Sequence, residues 1–205
     1  EDHLYYQLLP RLTALSEVQW CNKDRKDWKR FSDSAEELCA IFDKMGHNYA
    51  SHIFGILHEV KGNNETHCIE VTLSTPGNTP IRYTLDGSEP GADSKLYTGT
   101  IVLDKSCTLK ATALRNEKWT GRLAIDFADS KAFGGPVTGV GIPVKKYTYN
   151  YPYNLIDGVR GENDYGTGEW VGMFDADFDV IVEVDPEDTY TCMTLGTFIE
   201  REDDV

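Results

Sequence analysis

No stretch of the 205 residues is apolar for long enough to cross a bilayer, which takes about 20 such residues in a helix. Basic residues are scarce: 20 Lys and Arg stand against 34 Asp and Glu, a formal net charge of -14. Phosphate backbones are bound by basic faces, so a nucleic-acid partner is not expected, and the charge reads as solubility. Cysteine is sparse. Cys21, Cys39, Cys68, Cys107 and Cys192 are widely spaced with no Cys-x-x-Cys pair, which argues against a zinc ribbon or a thioredoxin-type motif. Cys68 and Cys107 each fall on an expected strand and are within reach of pairing, but buried thiols are the simpler reading.

The usual catalytic spacings are missing as well. His3, His47, His52, His58 and His67 form no His-Glu-x-x-His pair, and there is no Gly-x-Ser-x-Gly elbow or phosphate-binding loop. Glu1-Asp2-His3 is polar and acidic, so no signal peptide is visible. A first residue other than Met marks the chain as processed, trimmed or part of something longer. What remains is an ordinary globular composition, 40% hydrophobic and 26% charged, at a length that suits one or two domains.

The most informative stretch is Tyr83-Thr84-Leu85-Asp86-Gly87-Ser88-Glu89-Pro90. Ile81, Tyr83 and Leu85 alternate with Arg82 and Thr84 as in a strand. Asp86-Gly87 then favours a tight turn, because Gly accepts positive φ and Asp bonds nearby backbone N–H groups. Pro90 prevents an immediate return to helix or central strand. Around it the period is two. Ile69, Val71 and Leu73 alternate with polar residues, as do Cys107, Leu109, Ala111 and Ala113, with Ile101 to Leu103, Ile125 and Phe127 as further strand positions. Short strands separated by turns such as Pro76-Gly77-Asn78 predict an antiparallel sandwich.

Upstream the period is helical. Tyr5, Leu8, Leu9, Leu12, Leu15 and Val18 predict a helix from about His3 to Trp20, with Pro10 in its first turn or at a kink. Asn22 is positioned to cap a second helix from about Asp24 to Met45, whose Trp28, Phe31, Ala35, Leu38, Phe42 and Met45 form one stripe and which Gly46 stops. His52 to Gly62 reads as a connector. Two broad apolar helix faces need a sheet or more helices to cover them. Asn64-Glu65-Thr66 is a glycosylation sequon, relevant only on a eukaryotic secretory route.

Ser130 to Val144, rich in Gly and small residues, reads as a linker. Beyond it lie the aromatics Tyr147 to Tyr153, then Leu155-Ile156-Asp157-Gly158, Trp170 and the apolar run Phe178 to Val184. Asp175, Asp177 and Asp179 resemble a calcium loop only superficially, because Val180 and Pro186 occupy the positions where an EF-hand has Gly and Glu. Their alternation with Ala176, Phe178 and Val180 reads as the acidic face of a strand.

These segments, in this order, resemble parts of one enzyme family. Tyr6-Gln7-Leu8-Leu9-Pro10-Arg11-Leu12, then Ala14 to Trp20, resembles the last barrel helix of glycoside hydrolase family 20, the β-N-acetylhexosaminidases. Asp27-Trp28 to Tyr49 resembles the helix that closes the (β/α)8 barrel. The Tyr83–Pro90 stretch with Tyr97-Thr98-Gly99 and Ser106 to Ala111 resembles the small β-sandwich of chitobiases and β-hexosaminidases. The Leu155–Gly158 segment with Trp170 resembles the first half of a discoidin-like, galactose-binding jelly roll, with Val184-Asp185-Pro186 a departure from that pattern.

The resemblance implies a multidomain α+β chain: the end of a catalytic barrel over 1–55, an immunoglobulin-like or fibronectin-like antiparallel β-sandwich over 56–130, and an incomplete discoidin-like carbohydrate-binding domain over 131–205. It implies substrate-assisted removal of terminal N-acetylhexosamines from glycans by an Asp-Glu pair, an exception to the two-carboxylate nucleophile scheme. That pair, set in His-x-Gly-x-x-Asp-Glu, belongs upstream of the last helix, and no residue here fits it, so this chain alone is expected to be inactive. Arg11 and Glu17 would be structural. The family also implies glycan partners, an extracytoplasmic location and no cofactor beyond a structural calcium in the discoidin-like part. Sugars stack on exposed aromatics flanked by polar groups, which makes Trp170, Arg160 and Tyr165 the sugar-binding candidates. Trp170 as a core anchor is the competing reading. The alternative function is a non-catalytic carbohydrate-binding or adhesion protein built from the same modules.

Overall fold

A computed structural model describes residues 2–115, 118–128, 130–141, 143–148, 150–161, 169–174, 179–191 and 193. It is a mixed α and β protein in which a short helical segment precedes antiparallel sheets.

The helix expected over His3–Trp20 is two helices, α1 (Asp2–Leu8) and α2 (Arg11–Trp20). Pro10 separates them: it has no N–H to donate, and its ring disfavours the helical conformation at Leu9. Arg11 spans the break, donating from Nη1 to the carbonyls of Gln7 (2.8 Å) and Tyr6 (3.2 Å) at the open end of α1. Asn22 is not a helix cap. It precedes a single 3-10 turn, Lys23–Arg25, and α3 (Trp28–Met45) begins only after Asp27, whose carboxylate accepts from the Arg30 N–H at 2.6 Å. Asp is favoured there because its short carboxylate satisfies an N–H that the first helical turn leaves open. Asp27→Ala is therefore expected to cost about 1 kcal/mol, read as a lower urea midpoint for the loss of helical circular dichroism.

Gly46 ends α3 in the left-handed region (φ 71°), with its N–H on the Asp43 carbonyl and the His47 N–H on the Phe42 carbonyl. α3 buries Ser32, Ala35 and Cys39, while Trp28 and Met45 at the ends of the expected stripe stay exposed. Glu17 of α2 forms an ion pair with Arg30 of α3, so it joins two helices.

The sheets follow the period-two segments. β1 (Leu57–Asn63), β2 (Cys68–Ser74) and β5 (Ile101–Leu103) form one antiparallel sheet in the order β1-β2-β5. β4 (Lys95–Leu96), β3 (Ile81–Thr84), β6 (Cys107–Arg115) and β7 (Lys118–Phe127) form the second, in the order β4-β3-β6-β7. The inward residues of both sheets meet in one core: Ile69, Val71 and Leu73 on one side, Tyr83, Leu109, Ala111 and Phe127 on the other. Two antiparallel sheets sharing one apolar core make a β-sandwich. Tyr97 ties them further, its hydroxyl accepting from the Leu73 N–H at 3.0 Å.

The Asp86-Gly87 corner is as rigid as its residues imply. Gly87 has φ 77° and donates to the Thr108 carbonyl, and Asp86 accepts from both the N–H and the hydroxyl of Ser88.

Two expectations fail here. His52 to Gly62 is not simply a connector, since β1 occupies most of its second half. Only Val60 of β1 is fully buried, so this edge strand lacks the alternation that reveals a strand. Ser130 to Val144 is not a free linker either. It carries β8 (Val137–Val140), which pairs antiparallel with β9 (Asp179–Val182), and Val137 is buried in the same core as the sandwich. The Asn64 side chain fixes it there, donating to the Val137 carbonyl at 3.3 Å and accepting from the Val137 N–H at 3.2 Å. Small residues are needed because the backbones run close: a Cβ on Gly134 would sit 2.8 Å from the His67 carbonyl oxygen.

Candidate functional site

The candidate sugar-contacting residues lie beyond the sandwich, on the segment that follows a 3-10 turn, Tyr153–Leu155. That turn packs on β1, and a Cβ on Gly62 would meet the Tyr153 ring at 2.6 Å. Ile156 and Asp157 are buried. Gly158 (φ 77°) turns the chain, its carbonyl accepting from the Ala128 N–H at 2.9 Å, while the Ile156 carbonyl accepts from Gly134 at 3.0 Å. The Asp157 carboxylate accepts from the Val159 N–H at 2.8 Å, an Asx turn. Burial pushes its pKa up to about 7, opposed by that hydrogen bond and reinforced by the charge of Glu169.

Arg160 follows on the exposed surface. Trp170 is half-buried and lies against Gly161, whose missing side chain leaves room for the indole. The structure thus places Trp170 next to the residue that follows Arg160. Tyr165 lies outside the described residues. So do Asp175 and Asp177, whereas Asp179 starts β9 with its side chain exposed. Among the described residues no group of three or more His, Cys, Asp or Glu could hold a metal ion. Cys68 and Cys107 are free thiols, as are Cys21 and Cys39. The described helices include none long and apolar enough to cross a membrane.

A concave place elsewhere was not legible in the sequence. A groove of about 240 Å³ runs between α3 and β7, lined by Asp43, Tyr49, Ser51, Lys118, Trp119 and Thr120 among others. The Tyr49 hydroxyl donates to Asp43 at 3.1 Å, and Lys118 approaches the same carboxylate at 3.8 Å. Burial, and then the bond to Asp43, push the Tyr49 phenol well above its ordinary pKa, so it remains protonated. Burial likewise raises the Cys39 thiol beneath the groove to about 11, which makes it unreactive. Asp43 and Trp119 are 76 positions apart in the chain, and no spacing rule joins them.

At one end of this groove α3 is fastened to the sandwich. Arg115, the last residue of β6, pairs with Glu36 at 2.5 Å and donates to the Thr75 hydroxyl (2.7 Å) and the Pro76 carbonyl (2.5 Å). Its guanidinium lies over the Phe54 ring, 4.5 Å from the centroid. Gly77 (φ 73°) lets the Glu36 carboxylate approach, since a Cβ there would collide with it.

Residues 69–124 match the family model described as Fn3 associated. The Fn3-associated segment therefore runs from β2 to within β7 and contains the Asp86-Gly87 corner. A beta-hexosaminidase of Porphyromonas gingivalis (strain ATCC BAA-308 / W83) is 32% identical over 110 residues, which is 51% of this chain and 14% of that protein. The chain thus spans about 14% of the length of the curated relative it matches. About half of its sequence is thus similar to part of a beta-hexosaminidase, and the Fn3-associated segment covers most of the β-sandwich, with β1 outside it.

Proposed function

We propose that the chain is the C-terminal portion of a glycan-processing β-N-acetylhexosaminidase resembling glycoside hydrolase family 20. Its substrates would be glycans ending in N-acetylhexosamine, and its place extracytoplasmic. On this reading residues 1–55 are the last helices of the catalytic barrel, 56–130 the accessory sandwich and 131–205 the start of a discoidin-like domain. The sandwich holds the final helix in place, and the acetamido-orienting Asp and the proton-donating Glu lie upstream.

The observation that carries this is the set of exposed apolar side chains on the helices. α2 has no buried residue, yet Leu12, Leu15, Val18 and Trp20 are 44%, 51%, 59% and 88% exposed. Leu4, Leu8, Trp28, Ile41 and Met45 extend the exposed apolar set over the neighbouring helices. An exposed apolar expanse of this kind marks an interaction surface. A barrel wall is the cover that the resemblance supplies. The identity to a beta-hexosaminidase supports the same origin.

The test compares two polypeptides on a chromogenic N-acetylglucosaminide. The 205-residue chain is expected to give no turnover. A polypeptide extended through the upstream coding sequence is expected to hydrolyse it, and to lose activity on removal of the upstream Asp-Glu pair. Turnover by the short chain, or none by an extended and folded one, overturns the reading.

A further inference from the structure

We infer that the groove between α3 and β7 is a binding site for a single neutral pyranose ring. Its chemistry points to that class. Trp119 is 39% exposed and lines the groove, and an indole is a surface on which the C–H face of a sugar stacks. Three hydroxyl-bearing residues line the groove with it, Tyr49, Ser51 and Thr120, the Thr120 hydroxyl already donating to the Ala113 carbonyl at 3.3 Å. The Tyr49 hydroxyl spends its proton on Asp43, so toward a ligand it can only accept. Asp43 receives one hydrogen bond and one distant ammonium and keeps acceptor capacity for a sugar hydroxyl.

Charge narrows the class further. Two carboxylates, Asp43 and Glu36, are matched by two cations, Lys118 and Arg115, and each is already paired across the groove. A phosphate or a metal ion would meet no uncompensated charge, whereas a polyhydroxyl ligand would meet paired donors and acceptors. Size agrees: about 240 Å³ lies just below the ~300 Å³ at which sites for drug-sized ligands begin, a volume that suits one ring. The walls are firm: Cys39 and Phe54 are buried, and Tyr49 packs edge-on against Phe54 with ring centroids 6.5 Å apart.

The choice of N-acetylglucosamine as probe rests on the proposed function, but the groove's preference for a neutral ring does not. The 205-residue chain, labelled with 15N, is titrated with N-acetylglucosamine and, separately, with methyl glucoside and inorganic phosphate. Saturable shifts are expected at the Trp119 indole and the Cys39 amide with one of the two sugars, at a Kd of about 1–10 mM, and none with phosphate. Trp119→Ala should weaken binding at least tenfold. Asp43→Asn changes only an exposed side chain and should weaken it several-fold with an otherwise unchanged spectrum. No saturable shift with either sugar overturns the inference, as does binding unchanged in both variants. Hydrolysis by the extended polypeptide is a separate measurement, so a silent groove leaves the enzyme reading standing and an inactive enzyme leaves the groove standing.

Discussion

Arg115→Ala is expected to lower the stability of the chain by about 3 kcal/mol, the scale of breaking one side of a buried ion pair. The side chain is only 5% exposed and has four partners: the Glu36 carboxylate, the Thr75 hydroxyl, the Pro76 carbonyl and the Phe54 ring. Truncation strands the first three. Glu36 is 26% exposed, so part of its cost is relieved by water, and the remainder comes from the two neutral acceptors and the emptied volume. Arg115→Lys keeps a charge but loses the planar fork that reaches three acceptors at once, and should recover less than half of the loss. The effect should also be directional. Arg115 is where α3 meets the sandwich, so the variant's helical signal is expected to melt ahead of its sheet signal in urea, where the parent unfolds in one step. A loss under about 1 kcal/mol with coincident transitions would show that the latch is incidental.

The difference between what the sequence disclosed and what it concealed follows from how each element is held. β2, β3 and β6 have one face buried in the sandwich, so their alternation had to be written in the chain, and the Asp86-Gly87 corner needed the one residue that accepts φ 77°. β1 and β8 are different. β1 is an edge strand that buries one side chain, and β8 is held by the amide of Asn64 as much as by Val137. Neither arrangement leaves a period in the sequence. The helix boundaries failed locally for a related reason: Asn22 and Asp27 are both good caps by type, and only the 3-10 turn between them decides which one serves.

The sites follow the same division. A motif singles out Trp170 and Arg160 as sugar-binding candidates; Trp170 lies against Gly161, the residue after Arg160, and a sugar-binding role for them is a proposal. The groove was not reachable, because Asp43 and Trp119 meet only when the helical segment docks on the sandwich. Arg115 sits at that junction, a residue with nothing in its flanking sequence to set it apart from a solvated surface arginine. A buried cation at the end of a strand is a tertiary fact, and the sequence has no local rule for it.

The second large effect is a pH dependence from Asp157. Its folded pKa, about 7, lies above the ordinary carboxyl value of 3.8 because burial penalises the charged form. A raised carboxyl pKa means that the folded state holds a proton the unfolded state has released. Between about pH 4 and pH 7 folding therefore takes up a proton, and stability from this group falls as pH rises, levelling off above pH 7. At about 1.4 kcal/mol per unit of pKa difference, the full excursion is a few kcal/mol. His58 acts in the opposite sense, its pKa lowered by desolvation against the charge of Glu169, but its side chain is exposed on β1, so its share of the pH dependence is small.

Asp157→Asn separates the two. It keeps an oxygen to accept the Val159 N–H, removes the titration, and leaves His58 in place. Urea midpoints measured from pH 5 to pH 8 should fall with pH for the parent relative to the variant. By pH 8 the variant should be the more stable of the two, since only the parent then buries a charge. Parallel curves would mean that Asp157 is ionised throughout and that its Asx turn, with the Val159 N–H, solvates the carboxylate well enough to cancel its burial.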